Sequence, residues 1–212
     1  MNRDEQIESG RYYHAFNRGN DRERIFGDES DYAAFIKKMK SLAVKYDVEV
    51  PVYALMPNHY HLIVRQVSHV EGHLPLRNKR PEGDLQPRLQ PRLSRMMGAL
   101  ATSAAKRYNL KYGHIGHVFQ GPYRYNLIPD DDLWTVACYI HLNPVRAGLT
   151  KKPEKWAFSN FAECAEKKVI FNVDIPEQKM TFYHEFVEEV LKHEQTEKEY
   201  WKKIQEHVEF LG

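Results

Sequence analysis

The sequence predicts an α+β domain built on an antiparallel sheet, with a helical extension behind it. Three observations carry this. Strand-like and helix-like periodicities alternate from residue 11 to residue 143 as strand, helix, strand, strand, helix, strand, helix. The second and third strands are separated only by the turn pair Pro57-Asn58, which marks a hairpin. The chain has 212 residues, long for one small domain and short for two, and its 42% hydrophobic content is enough for one core.

Residues 11–18, RYYHAFNR, form the first strand, closed by Gly19-Asn20. The spacing predicts a helix from Asp28 to Lys45, because Tyr32, Phe35, Met39 and Leu42 recur at three- and four-residue intervals. Asp28 or Ser30 can cap its start. Val52 to Met56 is the second strand, with Pro51 at its beginning or on an edge because proline has no N–H to give a ladder. His59 to Gln66 is the third.

Residues 67–92 hold Pro75, Pro81, Pro87 and Pro91 and read as a basic, proline-rich mobile insertion. A second long helix runs from about Leu93 to Tyr108 on the stripe Leu93, Met96, Met97, Leu100 and Ala104. Tyr123 to Ile128 is the fourth strand. Asp130-Asp131-Asp132 opens a third helix, whose apolar face is Leu133, Val136, Ala137 and Ile140. Pro144 is expected to stop it, leaving Asn143 at its C-terminal end.

This order is the ferredoxin-like split βαβ arrangement, with helices on one sheet face, the third helix appended, and the other face left for a ligand. Residues 1–165 make the domain. Residues 166–212 make a helical extension on which Phe182, Phe186, Val190, Trp201, Ile204 and Val208 fall at amphipathic spacing.

Cys138 and Cys164 show neither disulfide nor metal spacing, so a reduced, cytoplasmic protein is expected. No apolar leader opens the sequence and no apolar run reaches membrane-spanning length, so no membrane partner is expected. Net charge is only +2, but it is unevenly spread: Arg77 to Arg124 holds ten Lys/Arg against two acids, and Lys151 to Gly212 ten Lys against thirteen. The middle of the chain is therefore the candidate polyanion-binding region, and interleaved Tyr108, Tyr112, Phe119, Tyr123 and Tyr125 add surfaces for base stacking.

The chemistry concentrates in MPNHYHLIV, Met56 to Val64. On a strand His59 and His61 share a face, so two imidazoles stand side by side and can reach one metal ion. The second stretch is YIHLNPVRAGL, Tyr139 to Leu149. Tyr139 and Asn143 lie one helical turn apart. Asn143 can complete a metal site through its amide oxygen, and such an open set of two nitrogens and an oxygen suits Mg²⁺ or Mn²⁺. Tyr139 supplies a side-chain nucleophile. Its proton needs an acceptor, for which His114, His117 and His141 are the candidates.

HYHLIV followed by YIHLNPVRAGL resembles the REP-associated tyrosine transposases, within the single-tyrosine HUH transposases and endonucleases. HAFNRGNDRERIF, GHVFQGPYRY and WAFSNF extend the resemblance over roughly residues 12–161. It implies cleavage of single-stranded DNA at REP-like hairpins through a 5′-phosphotyrosine, with no nucleotide cofactor. It further implies Tyr139 as nucleophile, His59 and His61 with Asn143 as metal ligands, a monomer rather than a dimer, and a place at the nucleoid. Arg92, Arg95, Lys106, Arg107, Tyr108, Lys111, His117, Gln120, Tyr123 and Arg124 are the candidates for holding the DNA. The insertion and the extension have no counterpart in the resemblance. A catalytically silent hairpin-binding module of the same fold is the alternative.

Overall fold

The computed structural model describes residues 7–67 and 92–166. The expected insertion and C-terminal extension lie outside these residues, apart from positions 67, 92 and 166. The elements are β1 (Tyr12–Arg18), α1 (Glu29–Tyr46), β2 (Val48–Met56), β3 (His59–Gln66), α2 (Arg92–Tyr112), β4 (Arg124–Leu127), α3 (Leu133–Arg146) and the short α4 (Phe161–Glu166). The four strands form one sheet in the order β2-β3-β1-β4, and every neighbouring pair is antiparallel. This is the split βαβ topology that the element order predicts.

Alternation along the strands separates two cores. On one face Tyr13, Ala15, Leu55, Tyr60, Leu62 and Val64 pack against α1 and α2. On the other, Tyr12, Val52, Ala54 and Ile63 pack against Leu133, Ala137, Ile140 and Phe161. The face expected to be left for a ligand therefore carries α3. The apolar stripe of α3 needs burial, and the short side chains of Val52 and Ala54 on β2 give it a close seat.

Three element ends differ from the sequence expectation. β2 begins four residues early, at Val48. Its register shifts between Glu49 and Val52, so Pro51 sits at an irregularity on an edge strand, where its missing N–H costs no ladder bond. α2 continues to Tyr112 because its last turn is tied to α1. Lys111 Nζ reaches Asp28 at 2.7 Å and Asp31 at 2.9 Å, and Tyr112 donates its hydroxyl to Asp31 at 2.6 Å. Pro144 does not stop α3, which runs on to Arg146. The proline withholds an N–H from the Ile140 carbonyl, yet the final turn closes through Ala147 N to Asn143 O at 2.9 Å and Leu149 N to Pro144 O at 2.9 Å. Gly148, at φ 69°, then turns the chain away. Asp130 to Asp132 form a 3₁₀ turn in front of α3 without a side-chain cap. At α1 the expected cap is present: Asp28 accepts from Ser30 N, and Asp31 returns the bond to the Asp28 backbone.

No helix among the described residues is long and apolar enough to cross a membrane.

Candidate active site

The register of β3 and β1 builds the site. Residues paired across an antiparallel ladder share a face. Arg18 lies opposite His59, Phe16 opposite His61, and His14 opposite Ile63. From the other side Arg124 pairs with Phe16 and Asn126 with His14. One face thus carries His59, His61, His14, Phe16, Arg18 and Arg124. Tyr60, between the two histidines, goes the other way and is fully buried.

The His59 and His61 rings are 5.0 Å apart, centroid to centroid, and nearly perpendicular. Each has its Nδ1 occupied. His59 Nδ1 lies 2.7 Å from Asn58 Oδ1. The amide nitrogen of Asn58 donates to the Arg22 carbonyl at 3.0 Å, so its oxygen faces the ring. An oxygen there requires N–H on Nδ1, which leaves the lone pair on Nε2. His61 Nδ1 lies 2.9 Å from His14 Nε2. Burial, helped by nearby Arg18, pushes the His59 imidazole down to about 4. Burial, with His14 and His59 beside it, holds His61 well below the usual histidine range. Both rings are neutral at physiological pH, as metal ligation requires.

Tyr139 comes from α3 of the same chain. Its ring meets His61 edge-on at 5.8 Å and His14 edge-on at 6.3 Å. One turn on, Asn143 donates its amide nitrogen to the Tyr139 carbonyl at 2.9 Å, so its Oδ1 is the atom it could offer to a cation. Among the described residues no group of three or more His, Cys, Asp or Glu is arranged to hold a metal ion. Two neutral imidazoles, each with Nδ1 engaged, nevertheless fit a divalent cation through Nε2, provided oxygen donors complete the set.

Of the three candidate proton acceptors, His141 is fully buried, its Nε2 is 3.0 Å from Asn160 Oδ1, and burial pushes it down to about 4. It is a structural residue. Asn160 also accepts from Tyr53 N at 2.7 Å and donates to the Pro51 carbonyl at 2.7 Å. His141 and Asn160 thereby pin α3 to β2 and set the register that brings Tyr139 over His61. His114 is bonded to Asn109 and packs edge-on against Tyr108. His117 is exposed in the loop after α2.

The candidate DNA contacts divide. Arg124 is on the histidine face. The exposed Gln120 belongs to the loop whose backbone bonds to the Arg18 carbonyl at 2.9 Å. α2 packs on the opposite sheet face. There Arg92 pairs with Asp47 at 3.0 Å, Arg95 lies over the Tyr46 ring, Arg107 pairs with Asp31 at 3.4 Å, and Lys111 bridges Asp28 and Asp31. Tyr108 packs against Tyr112, Tyr123 is buried with its hydroxyl on Ser94 at 3.0 Å, and Lys106 is exposed. Arg18 and His14 are the site residues that the sequence reading did not single out. The period of two along HAFNR puts His14, Phe16 and Arg18 on one face of β1, but only the pairing of β1 with β3 brings that face to the histidines.

No family model matches the chain, and no curated protein matches it. Among solved structures it is similar to a REP-associated tyrosine transposase bound to a REP hairpin, with a TM-score of 0.56 and 19% identity over 83% of this chain and 90% of that one. A proposed transposase from Deinococcus radiodurans R1 also matches, with a TM-score of 0.39 and 15% identity over 66% of this chain and 95% of that one, too distant to bear on the argument. With its four-stranded antiparallel sheet, two helices on one face and a tyrosine-bearing helix on the other, the chain has the fold of the REP-associated tyrosine transposase.

Proposed function

We propose that the protein is a transposase-type enzyme that nicks and rejoins single-stranded DNA beside a hairpin. The observation that carries this is the seat of Tyr139, whose ring lies against His61 of the same chain, with His59 beside it. The phenolic oxygen attacks a backbone phosphorus and gives up its proton. The bond from phosphorus to the 3′ oxygen breaks, and that oxygen leaves as a 3′-OH on taking up a proton. DNA remains joined to the protein as a 5′-phosphotyrosine. Attack by a 3′-OH on the same phosphorus reverses the step, so no nucleotide cofactor is consumed.

Mg²⁺ or Mn²⁺, held by His59, His61 and the Asn143 amide oxygen, would polarise a phosphate oxygen as a Lewis acid. Because Tyr139 and the histidines belong to one chain, a monomer can complete the reaction. The solved neighbour's REP hairpin supports a hairpin as the DNA shape. The test is incubation of labelled hairpin DNA carrying single-stranded flanks with the protein and Mn²⁺. The expected result is a cut strand and an adduct that survives denaturing electrophoresis. Salt-sensitive binding without cleavage would instead establish the silent module.

Arg18 and Arg124 are the cations placed to grip the phosphates next to the cut. Both are exposed on the histidine face, and neither forms an ion pair among the described residues. Arg18→Ala and Arg124→Ala are each expected to lower the slope of log affinity against log salt by about 0.7, the loss of one single-strand phosphate contact. Arg107→Ala and Lys111→Ala are expected to leave that slope unchanged, because these cations serve α1. Equal effects from all four would move the DNA to the α2 face.

A further inference from the structure

His14 lies in the middle of β1, 1% exposed, and nothing in the proposed chemistry uses it. Its ring lies near-parallel to those of Phe16 and His61, with centroids 4.9 Å and 5.1 Å away, and it meets Tyr139 edge-on. Its Nε2 is 2.9 Å from His61 Nδ1, whereas its own Nδ1 is buried without a hydrogen-bond partner.

A contact of 2.9 Å between two imidazole nitrogens needs one proton between them. If His14 donates, His61 must carry its own proton on Nε2, and that atom cannot bind a cation. If His61 donates, its Nε2 lone pair is bare, and the His14 proton sits on the unpartnered Nδ1. The second arrangement matches His59, whose Nδ1–H is drawn to Asn58 Oδ1. Both rings then present Nε2. The polar atom left without a bond is the cost that the site carries for this, and a buried orphan of this kind calls for a physical reason.

We propose that His14 is a positioning residue of the metal site: it accepts the Nδ1–H of His61 and so holds the Nε2 lone pair of His61 toward the cation. The inference rests on the cation reading given above. A hydrogen-bond acceptor behind a ligating histidine raises the basicity of the ring and fixes its orientation, and its loss typically costs 10–100-fold in metal affinity.

The test uses the full chain without DNA. Titration calorimetry with Mn²⁺ is expected to show about 10–100-fold weaker binding for His14→Phe, which keeps an aromatic ring but has no acceptor. His14→Gln restores a carbonyl oxygen, and it is expected to recover at least half of that loss on a logarithmic scale. Nitrogen-15 spectra of the unaltered protein, saturated with diamagnetic Mg²⁺, are expected to show His61 protonated on Nδ1 and bare on Nε2. These spectra also decide the matter if His14→Phe does not fold. His61 protonated on Nε2 under those conditions, or a folded His14→Phe that binds Mn²⁺ like the unaltered chain, would overturn the role of His14 and leave the cation reading standing. No Mn²⁺ uptake by the unaltered chain would bring down the cation reading, and the role of His14 with it.

Discussion

Tyr139→Phe is expected to abolish the covalent protein–DNA adduct and to lower strand cleavage by at least about 10⁴-fold, since the attacking atom itself is removed. The substitution takes away one oxygen and leaves the ring. The edge-on contacts with His61 and His14 are made by that ring, so the packing of α3 is retained. The loss of one hydroxyl in a half-buried position should change stability by no more than about 1 kcal/mol. Hairpin affinity should also persist, because the phosphate contacts proposed for Arg18 and Arg124 do not involve the nucleophile. The variant therefore separates chemistry from binding, and a gel-shift assay run beside a denaturing gel reads both on one sample. An adduct that still forms on Tyr139→Phe, mapped by mass spectrometry to another side chain, would end the assignment.

Why Tyr139 could be singled out before any fold was known, while His14 could not, is a matter of range. His59 and His61 are two residues apart on one strand, and Tyr139 and Asn143 are four apart on one helix. Local periodicity alone places each pair on a common face. His14 meets His61 across 47 residues of sequence, and Arg18 faces His59 only through the same ladder. That register depends on the hairpin at Pro57-Asn58 and on which face of β1 is buried, so no local pattern announces it. The same range effect explains the α2 cations. Arg107 and Lys111 read as a DNA grip because their acids, Asp28 and Asp31, lie about eighty residues upstream on α1. Aromatic interleaving misled in the same way, since Tyr123 fills core and Tyr108 packs on Tyr112. Charge density along a chain marks a polyanion face only after intramolecular pairing is subtracted.

Mild acid is expected to unfold the domain well before its carboxylates titrate, because the site is built on histidines buried in neutral form. Burial pushes His14 down to about 3, and His59 and His141 to about 4. An unfolded histidine titrates near 6.5. Between that value and the folded ones, the unfolded chain binds more protons than the native chain, so stability falls as the pH falls. The loss begins near pH 6.5 and continues toward pH 4 and 3. By pH 5 each of the three histidines costs about 2 kcal/mol relative to pH 7.5, together about 6 kcal/mol, which is comparable to the whole stability of a small domain. The carboxylates act in a different window. Hydrogen bonding from Lys111 holds Asp28 down to about 2. Its contribution is therefore intact above the usual carboxylate range and is lost only as the pH falls through that range toward 2, so it cannot mimic the histidine effect at pH 5. Urea unfolding in EDTA at pH 7.5, 6.0 and 5.0 measures the slope directly. His141→Gln, which keeps an N–H for Asn160, is expected to remove about a third of it. A stability that stays flat from pH 7.5 to 5.0 would mean that these rings are hydrated or charged in the native state, and the neutral, metal-ready pair at His59 and His61 would lose its physical basis.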